Sequence, residues 1–326
     1  MIYTYRSFAG ESDLPKLAQL LTDCEIVDQM GVRRTAEELR VQFFAPTLDP
    51  EHDVRLWENP EGVVIAYGVI EIDVATDEIT GTLRWRVRPD HREHWLDDDV
   101  IRWGEARLCE VGVTKGLPAR LESIARDIDR PRQFLLEWHK YDVRHELWQM
   151  DRDLHQPIDT PTLSEGFTIR AADPERDAEA WIAMYNDSFI DHWNHIDLTL
   201  EDYRHRRQTD PGYAPERDLI LVAPDGTFAA FCWSFINPQE VGRVGVKQAL
   251  LHQIGTRRGF RQQGLGRTLI LKTLEILHDA GMDSVRLYVY MDNQNNASHL
   301  YESVGFQKAF SLVTYAKTVT DTIKAG

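Results

Sequence analysis

The 326 residues are 42% hydrophobic and 28% charged, a balance that excludes a disordered chain and suffices for two domains with separate cores. The net charge of −16 argues against nucleic acid or an anionic membrane surface as partner, since both need clustered Lys and Arg. Cys24, Cys109 and Cys232 are odd in number and far apart, which fits neither a disulfide framework nor a metal site; with no run near ~18 apolar residues and no signal-like start, a cytoplasmic protein without metal is expected.

In chain order, the first half opens with Tyr5-Arg6-Ser7-Phe8-Ala9, then ESDLPKLAQLL. The second half opens with Ile169-Arg170-Ala171-Ala172-Asp173, then PERDAEAWIAMY. Arg6 and Arg170 are 164 residues apart, as are Thr35 and Thr199, each followed by acids and an arginine, and Glu61-Gly62 and Asp225-Gly226, each between strand-like runs. One offset shared by three segments predicts a tandem repeat. Pro157 and Pro161 mark a linker over 157–162, dividing the chain into domains 1–156 and 163–326. In the second half the pattern predicts a strand over 167–171, helices over 175–189 and from Thr199, and strands over 218–223, 227–236 and about 246–256. A helix over 264–280, stopped by Gly281, follows, then a strand over 285–290, a short helix over 295–304 and two further strands. The class is α/β, each domain a mixed central sheet flanked by helices.

The densest chemical signal is Gly255-Thr256-Arg257-Arg258-Gly259-Phe260-Arg261-Gln262-Gln263-Gly264-Leu265-Gly266-Arg267, between a strand and a long helix. Gly264 and Gly266 let a ligand approach the backbone, and the first helical turn offers unpaired N–H groups to an anion. Arg257, Arg258, Arg261 and Arg267 add positive charge with no acid among them. The segment lacks the Lys-Ser/Thr ending of a P-loop, and the third glycine of a dinucleotide fingerprint is Leu269, although the next strand ends at Asp292, which keeps a nicotinamide-dependent oxidoreductase as an alternative. Surface arginines around a plain turn are the other alternative.

Arg261-Gln262-Gln263-Gly264-Leu265-Gly266 resembles the R-x-x-G-x-G loop of the GNAT acetyltransferase superfamily, with Arg258 where the superfamily usually has proline. Asn293 to Phe306 is similar to its closing segment N-x-x-x-A-x-x-L-Y-x-x-x-G-F. The resemblance covers Phe167 to about Val319, and the layout is similar to tandem members with a degenerate first domain. It implies acetyl-coenzyme A as co-substrate, a small-molecule primary amine as acceptor and direct attack on the thioester. Cofactor contacts fall on Ile254, Gly255, Thr256, Arg261, Gln262, Gln263, Gly264, Leu265, Gly266, Arg267, Asn293 and Asn296, with Tyr301 as acid. Where the superfamily often has a glutamate base stands Leu250; His252, placed on the same strand face by alternation, and Glu240 are the candidate bases. Asp191, His192, Trp193 and Trp233 are candidate acceptor contacts.

Aligned on Arg92 and Arg261, an offset of 169 places Trp95 and Asp97 at the two glycines, and an offset of 165 places Leu136 at Tyr301. The first domain is therefore expected to bind no acetyl-coenzyme A and to shape or cover the acceptor site. A non-catalytic coenzyme A-binding scaffold remains the alternative for the whole chain.

Overall fold

A computed structural model describes residues 3–28, 34–92, 96–191, 197–209, 212–236, 247–291 and 297–319. They form two compact units, Met1–His145 with Leu312–Gly326, and Glu146–Ser311.

In unit 1, β1 (Thr4–Ser7), β2 (Val54–Glu58), β3 (Val64–Val74) and β4 (Ile79–Val87) run antiparallel in sequence, and β5 (Ala119–Arg126) joins β4 in parallel. Helices α1 (Leu14–Asp28), α2 (Ala36–Phe43), α3 (Pro50–Asp53), α4 (Leu96–Lys115) and α5 (Arg130–Trp138) connect the strands, and β6 (Asp142–Asp153) leaves the unit. Unit 2 repeats the plan. Strands β7 (Thr168–Ala171), β8 (Asp218–Val222), β9 (Phe228–Ile236) and β10 (Gln248–Thr256) are antiparallel neighbours, with β11 (Ser284–Tyr290) parallel to β10. Its described helices are α6 (Ala178–Phe189), α7 (Leu200–Thr209), α8 (Leu265–Asp279) and α9 (Ala297–Ser303).

The repeat extends to single hydrogen bonds. Arg6 grips Asp13 while the Ala9 amide donates to the same carboxylate; 164 residues on, Arg170 grips Asp177 and the Asp173 amide donates to it. Thr35 accepts from the Glu38 amide at 3.2 Å and Thr199 from the Asp202 amide at 3.1 Å, satisfying helix-start donors in α2 and α7. The Leu136 carbonyl accepts from the Tyr141 amide and the Tyr301 carbonyl from the Phe306 amide, with Lys140 (φ 66°) and Gly305 (φ 90°) in the left-handed conformation that closes α5 and α9.

Two expectations need correcting. Instead of two strands after α9 there is one, β12 (Gln307–Val319), because no glycine or proline interrupts it; its Leu312–Val319 stretch pairs with β5 in unit 1. Conversely, Leu147–Asp153 of β6 pairs with β11 in unit 2. Each unit thus takes its sixth strand from the other half of the sequence. The 157–162 segment is not the division between the units. It lies within unit 2, where the Pro157 carbonyl accepts from Arg152, Asp159 pairs with Arg267 and the Thr162 carbonyl accepts from Thr268.

The main core of unit 2 seats α8 through Leu265, Leu269, Leu271, Leu274 and Leu277, all expected from the helical spacing, against β9, β10 and β11. Burying such a stripe at about 25 cal/mol per Å² fixes where the helix begins, and so where its first amides stand.

Candidate active site

The site is built where β10 leaves its parallel neighbour. The two strands pair only over Gln248–Leu250 and Ser284–Arg286, yet β10 continues to Thr256. On its other side β10 stays paired with β9, except for a bulge between Leu251 and Gln253. Beyond Leu250 the β11-facing edge of β10 therefore carries backbone donors and acceptors that no strand among the described residues uses.

His252 is the extra residue of that bulge. The alternation that put it on the face of Leu250 fails there, since a bulge breaks the two-residue period. Its exposed ring meets Trp233 edge-on at 4.7 Å and Phe235 at 5.6 Å. Trp233, a candidate acceptor contact, is 3% exposed, and its indole N–H has no partner among the described residues. Gln253 donates to the Tyr185 hydroxyl at 3.3 Å. Gly255 is obligatory on packing grounds: a Cβ there would stand 2.4 Å from the Phe231 ring.

The loop after β10 alternates handedness. Gln262 has φ 62° and Gly264 has φ 78°, the latter as the residue preceding α8. For a glutamine this conformation is unfavourable, and such alternation turns successive amides toward one side, a concavity suited to an anion. The Leu265 side chain is buried in the core, so only its backbone can serve a ligand. A Cβ on Gly266 would meet Leu300 at 3.4 Å, the Thr256 hydroxyl at 3.6 Å and Ile254 at 3.9 Å. One point thus gathers the start of α8, the end of β10 and the residue before Tyr301 on α9.

The arginines are more committed than their spacing suggested. Arg257 pairs with Asp187 at 3.0 Å, Arg267 with Asp159 at 2.6 Å, and Asp191 bridges Arg258 and Arg261. Arg261 also donates to the Thr256 and Ser188 carbonyls, which pins the loop to β10 and α6. Four guanidiniums face three carboxylates, so the excess positive charge is one. Hydrogen bonds from Arg258 and Arg261 hold the Asp191 carboxyl below its usual range, and these contacts bind it to the loop arginines. Asp159 and Asp187 were not singled out from the sequence, because neither shares a helix turn or strand register with its arginine. The contact is repeated in unit 1, where Arg92 pairs with Asp28 as Arg261 does with Asp191.

Tyr301 is 7% exposed and packs against Phe306 at 6.0 Å. Burial, with a smaller contribution from Cys232, pushes the phenol well above its ordinary range, so it keeps its proton at neutral pH. Glu240, His192, Trp193, Asn293 and Asn296 lie outside the described residues, as does Trp95. Gln263 is exposed and reaches the Gly259 carbonyl at 3.5 Å. No group of three metal-ligating side chains occurs among the described residues.

The profile of the Acetyltransferase (GNAT) family matches residues 178–306. A mycothiol acetyltransferase of Thermobispora bispora is 39% identical over 163 residues, 50% of this chain and 54% of that protein, so the match spans about half the relative's length. A mycothiol acetyltransferase of Salinispora arenicola is 34% identical over 312 residues, 94% of each chain. The chain belongs to the GNAT acetyltransferase family. A GCN5-related N-acetyltransferase from Sphaerobacter thermophilus shares the fold, with a TM-score of 0.77 at 22% identity, covering 98% of this chain and 96% of that one.

Compared with unit 2, unit 1 has the same frame and different residues at the key positions. Arg92 donates to the Val87 carbonyl at 3.1 Å as Arg261 does to Thr256 at 3.2 Å, and α4 begins 169 residues before α8. At the position of Gly266, Asp97 turns its carboxylate inward to accept from the Trp85 indole at 2.5 Å. Burial raises its pKa against that hydrogen bond. Leu136 replaces Tyr301. The third loss was not foreseen: β3 and β4 pair without interruption from Ala66–Val87 to Val74–Ile79, so the bulge carrying His252 has no counterpart.

Proposed function

We propose that unit 2 is an acetyl-coenzyme A-dependent N-acetyltransferase acting on the primary amine of a small molecule, and that unit 1 binds no acetyl-coenzyme A. The name borne by the relatives supports an acceptor from the mycothiol series. The observation that carries the proposal is the convergence at Gly266, where loop amides, the unpaired edge of β10 and the helix bearing Tyr301 meet.

The loop from Arg261 to Arg267 and the first amides of α8 would hold the diphosphate, and the free edge over Leu251–Thr256 the pantetheine arm and thioester oxygen. His252 or Glu240 takes the ammonium proton, directly or through water, because only the neutral amine has a lone pair for the carbonyl carbon. As the new C–N bond forms, the C–S bond breaks. The Tyr301 hydroxyl gives its proton to the departing sulfur, the acylated nitrogen loses its second proton to solvent, leaving the neutral amide, and solvent returns one to the phenolate.

The test is thiol release from acetyl-coenzyme A with a panel of primary amines that includes the mycothiol series, alongside calorimetry. Tyr301→Phe is expected to lower kcat by about a hundredfold while leaving acetyl-coenzyme A affinity nearly unchanged. Heat without turnover on any amine would make the chain a coenzyme A-binding scaffold. Binding of NADH in place of the thioester would make it an oxidoreductase.

A further inference from the structure

Unit 1 has a splay of its own. Strands β4 and β5 pair over only Ile79–Thr82 and Ala119–Glu122, and beyond that divergence lies a cavity of about 720 Å³, within the size range of small-ligand sites. Its charges are unevenly matched. Arg84 is paired with Glu71 at 2.6 Å and Arg92 with Asp28 at 2.7 Å; Asp98 is held by Arg102 at 2.7 Å. Arg86 and Arg132 face the same cavity, and neither has a carboxylate within ion-pair distance among the described residues. The Arg132 guanidinium lies 3.6 Å over the Trp85 ring, and its Nε is buried without a hydrogen-bond partner. Burial, with Arg86 as a like charge nearby, pulls Arg132 down to about 10, against the opposing pull of Asp97 and Asp129, which also line the cavity. The two half-buried guanidiniums share one cleft and repel each other, a cost that a shared counter-ion would recover. The rim is apolar: Phe134, also a lining residue, is 66% exposed and stacks on Trp138 at 6.3 Å.

We infer that the unit 1 cavity binds a small organic anion, a phosphate or carboxylate head received by Arg86 and Arg132 with an apolar body against Phe134. Coenzyme A is not that ligand, because the Asp97 carboxylate stands where unit 2 has Gly266, at the entry to the helix whose first amides a diphosphate would need. The inference does not depend on unit 2 catalysing acetyl transfer; its test uses only the proposed binding of acetyl-coenzyme A there.

The experiment titrates phenyl phosphate, phenylacetate and the neutral benzyl alcohol into the full chain already saturated with acetyl-coenzyme A, so that the loop of unit 2 is not available to the probes. At least one anion should bind and benzyl alcohol should not, the tighter anion identifying the head group. Arg86→Met and Arg132→Met should each weaken that binding about tenfold or more, as loss of a charge-assisted hydrogen bond does. Asp97→Asn, which keeps an acceptor for the Trp85 indole, should tighten it by removing a competing negative charge; this variant decides the matter if either arginine variant fails to fold. No heat from either anion, affinities unchanged in all three variants, or loss of the signal on acetyl-coenzyme A saturation would overturn the inference.

Discussion

Gly266 shows how a single missing side chain serves chemistry rather than folding. Its backbone lies in the first turn of α8, and an added methyl would make only ordinary contacts with Leu300, Thr256 and Ile254. Alanine is also the better helix former by roughly 1 kcal/mol. Gly266→Ala should therefore leave the melting temperature unchanged or raise it, while the KM for acetyl-coenzyme A rises severalfold. Thermal scans and steady-state kinetics on one preparation would reveal the opposite signs. Gly264 cannot be used this way, since φ 78° strains any L side chain. The arginine-glycine motif was legible because a loop that holds an anion needs particular residue types at fixed spacing. The partners of those arginines were not, because ion pairs such as Arg257–Asp187 join residues 70 positions apart.

Among the elements, the α5 and α9 endings make the cost of divergence measurable. Lys140 adopts φ 66° where its counterpart is Gly305. Lys140→Gly should stabilise the chain by up to about 1 kcal/mol in denaturant titrations, since glycine enters this region without strain. The strand–helix openings offer a second test. Burial works to raise the Asp177 carboxyl, but hydrogen bonds from Arg170, Arg176 and the Asp173 amide outweigh it and hold the pKa below its ordinary value. A depressed folded-state pKa contributes stability that is present above about pH 4 and lost as the pH falls toward the folded value. Asp177→Asn should thus cost about 2 kcal/mol at neutral pH, and its deficit against the parent should shrink as both are acidified. Helix positions could be read from periodicity and caps, as at Thr199 and Gly281. The bulge at Leu251–Gln253 could not, because nothing in Ala-Leu-Leu-His-Gln-Ile marks one residue as surplus until β9 lies beside it.

At the scale of the molecule, the exchange of final strands overrides the boundary suggested by the prolines. Sequence alone could not reveal it: β6 and β12 occupy equivalent places in the repeat, and either is a plausible sixth strand for either sheet. A fragment comprising residues 163–326 would lack Leu147–Asp153, leaving the outer edge of β11 bare, and would carry Leu312–Val319 with no β5 to pair with. It should aggregate or self-associate in sedimentation, whereas fragments 1–162 and 163–326 produced together should recover a soluble complex.

The same exchange dictates an order of assembly. On the ribosome, the sheet begun by the first fifty-odd residues stays short of a strand until Leu312–Val319 has been made, while Leu147–Asp153 is synthesised well before β11, the strand it joins. The half that is translated first is the half that finishes last, so β5 must wait through most of synthesis with an open margin that invites wrong partners.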